Sequence, residues 1–278
     1  MRLILVLLAL SAATFAGEET DAKAKKETPA HCRMDPGLKL PVAKSAKKLG
    51  DGFGAVVNLN ALGQIALGDK RGSLDALKKS LSELVKKHGE MEGPASTMRV
   101  LLRVDRDAPW LHVQWAMTIC AECRIRRIEL GVQQKDGTPG RLDSWLPMIP
   151  GGRAKPEEMM WIKVHVFGRK EKARDFAGFQ VMTPTHFLYR SGDQTLEDLD
   201  AVAKRIRAVT AEAKKAKIAR RGEIKAGHKV PFDVIVGVLD EFRVQKLDRV
   251  DYYGTALPSK GVRTGAQLPY PKRNYVRR

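Results

Sequence analysis

Cysteine, aromatic residues and acidic residues are all scarce in this chain. Three cysteines among 278 residues are too few for a disulfide scaffold, and aromatic residues make up only 6% of the sequence. Thirty-two acidic residues face fifty lysines and arginines, which gives a formal net charge of +18 at pH 7. A field of that sign favours polyanionic partners, such as nucleic acid, anionic lipid headgroups or acidic wall polymers.

Long hydrophobic runs are also missing, apart from a short one at residues 1–16. Arg2 supplies a positive charge, residues 3–10 are all apolar, and Thr14 and Ala16 are the small residues of a cleavage site. This pattern is typical of a secretory signal peptide. The alternative is a membrane anchor, which is less favoured because a spanning helix needs about 20 apolar residues and only fourteen residues lie between Arg2 and Gly17. Either reading predicts a protein that works outside the cytoplasm.

An internal repeat is visible when the chain is slid along itself by 122 residues. Pro109-Trp110 then aligns with Pro231-Phe232, and Ser73-Leu74 aligns with Thr195-Leu196, where Ser73 and Thr195 are predicted helix N-caps. Apolar pairs recur at the same offset: Leu77 with Leu199, Leu84 with Ile206, Val113 with Ile235, Met117 with Leu239, and Cys120 with Phe242. The constant spacing predicts a duplication.

Each copy shows a hairpin, a helix, a strand, a second helix and a closing strand. In the first copy, apolar residues recur at helical spacing over residues 73–88, and Pro109 stands at the start of the second helix. The sequence therefore predicts an α+β protein with two tandem small domains, each a β-sheet with two helices packed on one face. The predicted divisions are a signal peptide or anchor at 1–16, a disordered lead-in at 17–37, domain 1 at 38–136, a Gly/Pro-rich linker at 137–156, domain 2 at 157–257, and a basic tail at 258–278.

Residues 100–132 hold an ordered set of short motifs. Arg103-Val104-Asp105 ends a predicted strand, Pro109-Trp110 follows a short turn, and Met117 lies in an amphipathic helix. In order and spacing the run resembles the second half of the periplasmic domain of the ExbD/TolR family, which often has glycine where Arg124 stands. The second copy resembles the same pattern more loosely.

The resemblance implies a component of a proton-motive-force-driven complex of the ExbB–ExbD or TolQ–TolR kind. Its expected partners are an ExbB/TolQ-like membrane protein or another ExbD/TolR-like subunit, and its expected place is the periplasm, associated with or anchored in the inner membrane. Family members also carry a membrane helix with an acidic residue that handles protons. Residues 1–16 contain no Asp or Glu, so we expect this chain not to conduct protons.

Residues 38–44, LKLPVAK, resemble the Leu-Pro segment that follows the membrane helix in that family. Extended apolar residues can add to the edge of a neighbour's sheet, and Pro41 fits where no N–H is needed. Leu40 and Pro41 are therefore the candidate partner-docking residues. The alternative is that Leu40 packs on its own domain.

Catalytic, cofactor and metal motifs are not readable in the sequence, so no enzyme activity, cofactor or metal is predicted. Cys120 and Cys123 form a CxxC near the end of a predicted helix, a position that favours two small buried residues. The alternatives are a thiol enzyme that uses this pair, and a metal site that also includes His31 and Cys32. A disulfide from Cys32 to one of this pair, and a homodimer, stay open.

A basic stretch at residues 204–229 holds ten Lys/Arg and two acidic residues. It is interpreted first as a solvated helix face, and second as a surface for an anionic envelope polymer or lipid. Nucleic acid is a poor partner, because few aromatic residues are available for stacking and the chain is predicted to be exported. The alternative function is therefore a secreted polyanion-binding protein with no transport role.

Overall fold

The computed structural model describes residues 29–88, 91–92, 95–146, 159–168, 187–247 and 250–252. The predicted signal peptide or anchor and the basic tail lie outside the described residues. Within the described residues, no helix combines the length and the apolarity needed to cross a bilayer. The helices are α1 (Leu74–His88), α2 (Trp110–Glu122), α3 (Leu199–Lys215) and α4 (Phe232–Val244), with a short 3₁₀ turn at Ala30–Cys32.

Two separate sheets carry the fold. The first contains β1 (Lys47–Lys48), β2 (Ala55–Leu59), β3 (Ile65–Leu67), β4 (Lys70–Gly72), β5 (Met91–Glu92), β6 (Ala95–Val104), β7 (Ile125–Gln133) and β8 (Pro139–Trp145). The second contains β9 (Met159–Gly168), β10 (Phe187–Ser191), β11 (Gln194–Leu196), β12 (Ala219–Ala226) and β13 (Val250–Tyr252).

The second sheet and part of the first share one strand order. The first sheet runs β1-β8-β7-β6-β2-β3-β4, with β5 paired to β6, and the second runs β13-β12-β9-β10-β11. The matching part of the first sheet is β7-β6-β2-β3-β4. In each of these five-strand sets, the first three strands are parallel and the last three form an antiparallel meander. Two helices follow in equivalent positions of each half, which confirms the predicted α+β class with small sheet-and-helix units.

The helices form where the apolar spacing predicts them. In α1, Leu74, Leu77 and Leu81 are buried on one face, while the Ser73 hydroxyl accepts a hydrogen bond from the Ala76 N–H at 3.2 Å. This hydroxyl satisfies a donor that the first turn leaves unpaired. The helix α2 differs, because nine of its thirteen residues are buried. A helix buried on nearly all sides needs neighbours beyond its own sheet.

The second half departs from the constant offset at its first helix. Thr195 lies in β11, and the N-cap of α3 is Asp198, whose carboxylate accepts from the Ala201 N–H at 2.7 Å. The prediction of Thr195 as an N-cap is therefore wrong. The hairpin strand continues two residues further than the ungapped alignment allowed, and the helix begins three residues later, after Asp198, the first cap-forming side chain beyond the strand.

The ordered first half extends beyond the predicted limits of domain 1. Residues 29–37, assigned to a disordered lead-in, lie against the sheet: the Asn58 amide donates to the Arg33 carbonyl at 3.1 Å. On the other side, β8 falls inside the predicted linker and pairs antiparallel with β7. Strand pairing supplies the backbone hydrogen bonds that a Gly/Pro-rich linker would leave to water.

Candidate partner-binding surfaces

The predicted docking segment, residues 38–42, lies on its own domain. Leu38 and Leu40 are buried, at 8% and 7% exposure, whereas Val42 is 50% exposed. The Gln133 N–H donates to the Pro41 carbonyl at 2.8 Å, so the segment runs beside the end of β7. Of this segment's apolar side chains, only Val42 is thus open to a partner. The docking role of Leu40 and Pro41 stays a prediction.

The Arg-Val-Asp motif at the end of β6 holds this segment in place. The Arg103 guanidinium donates to the Asp35 carbonyl at 2.7 Å, and the Asp105 carboxylate accepts from the Lys39 N–H at 3.1 Å. Val104 lies between them and is fully buried in the core. The motif therefore ties the chain that precedes the domain to the sheet, which is a structural task.

The two halves meet at a junction with pseudo-two-fold symmetry. The Trp110 N–H donates to the Val230 carbonyl at 2.8 Å, and the Phe232 N–H donates to the Ala108 carbonyl at 2.9 Å. The two hydrogen bonds are equivalent under the 122-residue offset, because Phe232 corresponds to Trp110 and Ala108 corresponds to Val230. A second pair of hydrogen bonds is related by the same offset. The Leu111 N–H donates to the His228 carbonyl, and the Asp233 N–H donates to the Arg106 carbonyl. Reciprocal contacts of this kind define an isologous interface.

Aromatic side chains fill the centre of the junction. Trp110 and Phe232, both with no exposed surface, have ring centroids 6.5 Å apart and planes 8° from parallel. The ring centroid of Tyr252 lies 5.7 Å from that of Trp110, and the Tyr252 and Ser144 hydroxyls are 3.0 Å apart. Burial raises the pKa of the Tyr252 hydroxyl. The Pro-aromatic motif of each half therefore packs against the other half.

A second contact joins the halves through α4. The Asp240 carboxylate, on a residue 4% exposed, accepts from the Lys44 N–H at 2.7 Å, the Ser45 N–H at 2.8 Å and the Ser45 hydroxyl at 2.5 Å. Beside it, the Lys44 ammonium lies 3.1 Å from a Glu241 carboxylate oxygen. That hydrogen bond raises the pKa of Lys44. A buried carboxylate needs such donors, because an unpaired charge at low dielectric is costly.

The cysteines occupy structural positions. Cys120 has no exposed surface and, like Phe242 at the equivalent place, lies in the core; burial raises the pKa of its thiol. Cys123 is the C-cap residue of α2, with its sulfur 3.3 Å from the Ser82 hydroxyl. The Cys32 sulfur lies 3.4 Å from the Phe53 carbonyl, and all three thiols are free. Raised pKa values oppose thiolate chemistry at Cys120 and Cys123.

The basic stretch at residues 204–229 runs from α3 through β12 into the following turn. Its lysines at 204, 214, 215, 217, 225 and 229 are all exposed. Arg221, half-buried, pairs with Asp251 at 2.6 Å. The stretch is therefore mainly a solvated surface, as its first interpretation has it.

Residues 2–135 match the family model of the biopolymer transport protein ExbD/TolR. This part of the chain is similar to the ExbD/TolR family. Its members are membrane-anchored proteins with a periplasmic domain; they are not enzymes, and they work with ExbB/TolQ-type partners in complexes that energise biopolymer transport. No curated protein matches the chain.

One backbone feature recurs in both halves. Arg124 follows the C-cap of α2 with φ +62°, and Lys246 follows the C-cap of α4 with φ +59°. Left-handed backbone favours glycine, and a side chain there costs about 1–2 kcal/mol. Both halves thus keep the same helix-ending conformation with a basic residue in place of glycine.

The junction is the feature that sequence reasoning missed. A signal was present, because residues 110–122, WLHVQWAMTICAE, are apolar on nearly every helical face. Such a helix is covered on both sides in a folded protein. The pattern indicated a second packing partner for α2 without identifying it as α4.

Proposed function

We propose that this chain is an extracytoplasmic component of a proton-motive-force-linked complex of the ExbB–ExbD or TolQ–TolR kind. It acts by protein–protein binding and does not itself conduct protons. The observation that carries the proposal is the family match over residues 2–135. The apolar run at residues 1–16 contains no carboxylate, and proton transfer at membrane depth needs an ionisable group.

The second half of the chain is proposed to be another ExbD/TolR-type domain, so that one polypeptide carries two tandem copies. Three observations support this: the shared strand order, the equal spacing from Pro109 to Arg124 and from Pro231 to Lys246, and the reciprocal hydrogen bonds at the junction. The proposed functional unit is then a covalently linked pseudo-dimer, which offers its outer surfaces to the membrane partner.

The proposed location is the periplasm, with residues 1–16 either cleaved or anchoring the chain in the inner membrane. N-terminal sequencing of exported protein distinguishes the two. Cleavage predicts a mature N-terminus at Gly17, and anchoring predicts an intact N-terminus that stays in the membrane fraction after a carbonate wash.

The proposed docking surface is the segment at residues 38–42. Leu40 and Pro41 shape it, and Val42 presents an apolar side chain to a partner. Leu40→Asp would bury a charge and unfold the domain locally, so it cannot test binding alone. Val42→Asp can, because the side chain is 50% exposed. Leu62, an apolar residue 54% exposed after β2, provides the matched control Leu62→Asp.

The test is a pull-down of the tagged full-length chain from a detergent extract of its own host. Wild type and Leu62→Asp should recover an ExbB- or TolQ-like multi-span membrane protein, and Val42→Asp should recover at least fivefold less. Failure of the wild type to recover such a protein overturns the complex. Equal recovery by all three chains would support the partner and refute the proposed docking segment.

The alternative function, a polyanion-binding secreted protein, is favoured by one observation: the exposed lysines of residues 204–229. Binding of that kind would weaken steeply as salt rises. Recovery of the membrane partner unchanged between low and high salt argues against it.

A further inference from the structure

A cavity of about 230 Å³ lies where the two halves meet, on the side of the junction nearest β1 and β8. Residues of the first half (Lys47, Arg141 and Asp143) and of the second half (Arg243 and Lys246) line it together. Four cationic side chains thus face one carboxylate. Neither half holds this site alone.

The arginines of the cavity are fixed in place by partners behind them. The Arg141 guanidinium bonds to Glu129, which also pairs with Arg99 at 2.6 Å. Arg243 donates to the Leu247 carbonyl at 3.0 Å and to the Asp143 carbonyl at 2.5 Å. Side chains already ordered in this way lose little conformational freedom when an anion arrives.

The two lysines of the cavity are less fixed in position than its arginines. Lys47 lies 2.5 Å from Asp143 and is 64% exposed, so it can turn toward a ligand. Lys246 is exposed, and within the described part of the chain it pairs with no carboxylate. The Arg141 Nε, buried, has no hydrogen-bond partner among the described residues. Counting Glu129, the cavity keeps two positive charges in excess.

From this geometry we propose that the cavity is a binding site for a phosphate group. Two fixed guanidinium groups with two lysines beside them match the charge and the several acceptor oxygens of phosphate. The volume exceeds that of one phosphate, so the ligand is a phosphate ester or a phosphate held with water. The proposal is independent of the transport role, because it rests on the contacts between the two halves.

The test uses the full-length chain and inorganic phosphate in calorimetric titration, with chloride replaced at constant ionic strength. Wild type should bind phosphate with one site per chain. Lys246→Asn should weaken binding at least fivefold, since asparagine tolerates the left-handed backbone that Lys246 adopts and removes only the ammonium. Arg124→Asn is the matched control, because it removes a charge at the equivalent exposed position outside the cavity.

A second pair of variants tests whether the loss of one positive charge is enough to weaken phosphate binding. Lys47→Gln should also weaken phosphate binding, whereas Lys48→Gln, on the neighbouring residue of β1 that does not line the cavity, should not. No phosphate-dependent heat with wild type, or an equal loss in the cavity variants and their controls, overturns the proposal. Vesicles of phosphatidylglycerol and of phosphatidylcholine then identify the source. Lys246-dependent binding to the former alone indicates a lipid headgroup, and binding to inorganic phosphate without vesicle binding indicates a soluble ester.

Discussion

The Asp240 carboxylate offers the sharpest test of how the two halves are held together. Replacing it with asparagine keeps the shape of the side chain and removes one of its two acceptor oxygens. The Ser45 N–H and hydroxyl can still share the amide oxygen, but the Lys44 N–H would face an NH₂ group. One part-buried backbone donor is then left unpaired, and the other two hydrogen bonds lose their charge assistance.

The expected loss can be worked from these contacts. An unsatisfied buried donor costs about 1–3 kcal/mol, and each hydrogen bond that becomes neutral loses about 1 kcal/mol. These terms add up to about 3–5 kcal/mol, and we expect Asp240→Asn to lower the free energy of unfolding by about 3 kcal/mol, because the Lys44 N–H is only part-buried. Asp233→Asn is the control, because Asp233 lies on the same helix and also reaches across the junction, to Arg106 at 2.9 Å. That pair is partly exposed, so its loss should cost about 1 kcal/mol or less.

The assay combines urea denaturation with hydrogen exchange read by mass spectrometry. In Asp240→Asn, amide protection should fall at Lys44 and Ser45. It should persist at Ala43, whose N–H donates to the Gln133 carbonyl within the first half. Equal destabilisation by the two substitutions would refute the reasoning, and so would unchanged protection at Lys44 and Ser45.

Two further predictions concern the packing around α2. Burial lowers the pKa of His112 to about 4 from 6.5, so the folded state resists protonation that the unfolded state accepts below pH 6.5. Stability should therefore fall by about 2 kcal/mol between pH 7 and pH 5, as measured by urea midpoints, and His112→Gln should remove most of that fall; an equal fall in both proteins would contradict it. Gly63→Ala should be more damaging than Gly137→Ala in thermal melts, by about 2 kcal/mol. Both glycines have positive φ, but a Cβ at Gly63 would lie 1.4 Å from the His112 Nδ1, and one at Gly137 would meet nothing within 4 Å. Equal melting temperatures for the two variants would place the cost in the backbone alone.

The elements with strong local signals could be predicted from the sequence. Both second helices were placed correctly, because Pro109 and Pro231 fix the point at which the extended backbone turns helical. The start of α3 could not be found with a constant offset. The local match is Ser73-Leu74-Asp75-Ala76 with Asp198-Leu199-Asp200-Ala201, which lies 125 residues away and requires a shorter connection after α3.

The proposed docking segment and the cavity were less accessible to sequence reasoning. The alternation of residues 38–42 indicated an extended apolar segment, but not whether its own sheet or another protein covers Leu40. That choice depends on Asp105 and Gln133, which are distant in sequence and hold the segment by hydrogen bonds to its backbone. The cavity between the halves was equally hidden, since its residues come from both copies and become neighbours only through the junction.

The pseudo-two-fold junction has a consequence for assembly. Because both of its surfaces belong to one polypeptide, their association does not weaken on dilution, as that of separate subunits does. Equivalent positions are also encoded separately, so they can diverge: Arg106 pairs with Asp233, whereas His228 and Leu111 stand at the mirror positions and form no ion pair. A homodimer offers every outer surface twice and can be approached from either side. One copy of this chain offers each surface once, so a partner that recognised one of these surfaces would bind the chain in a single orientation.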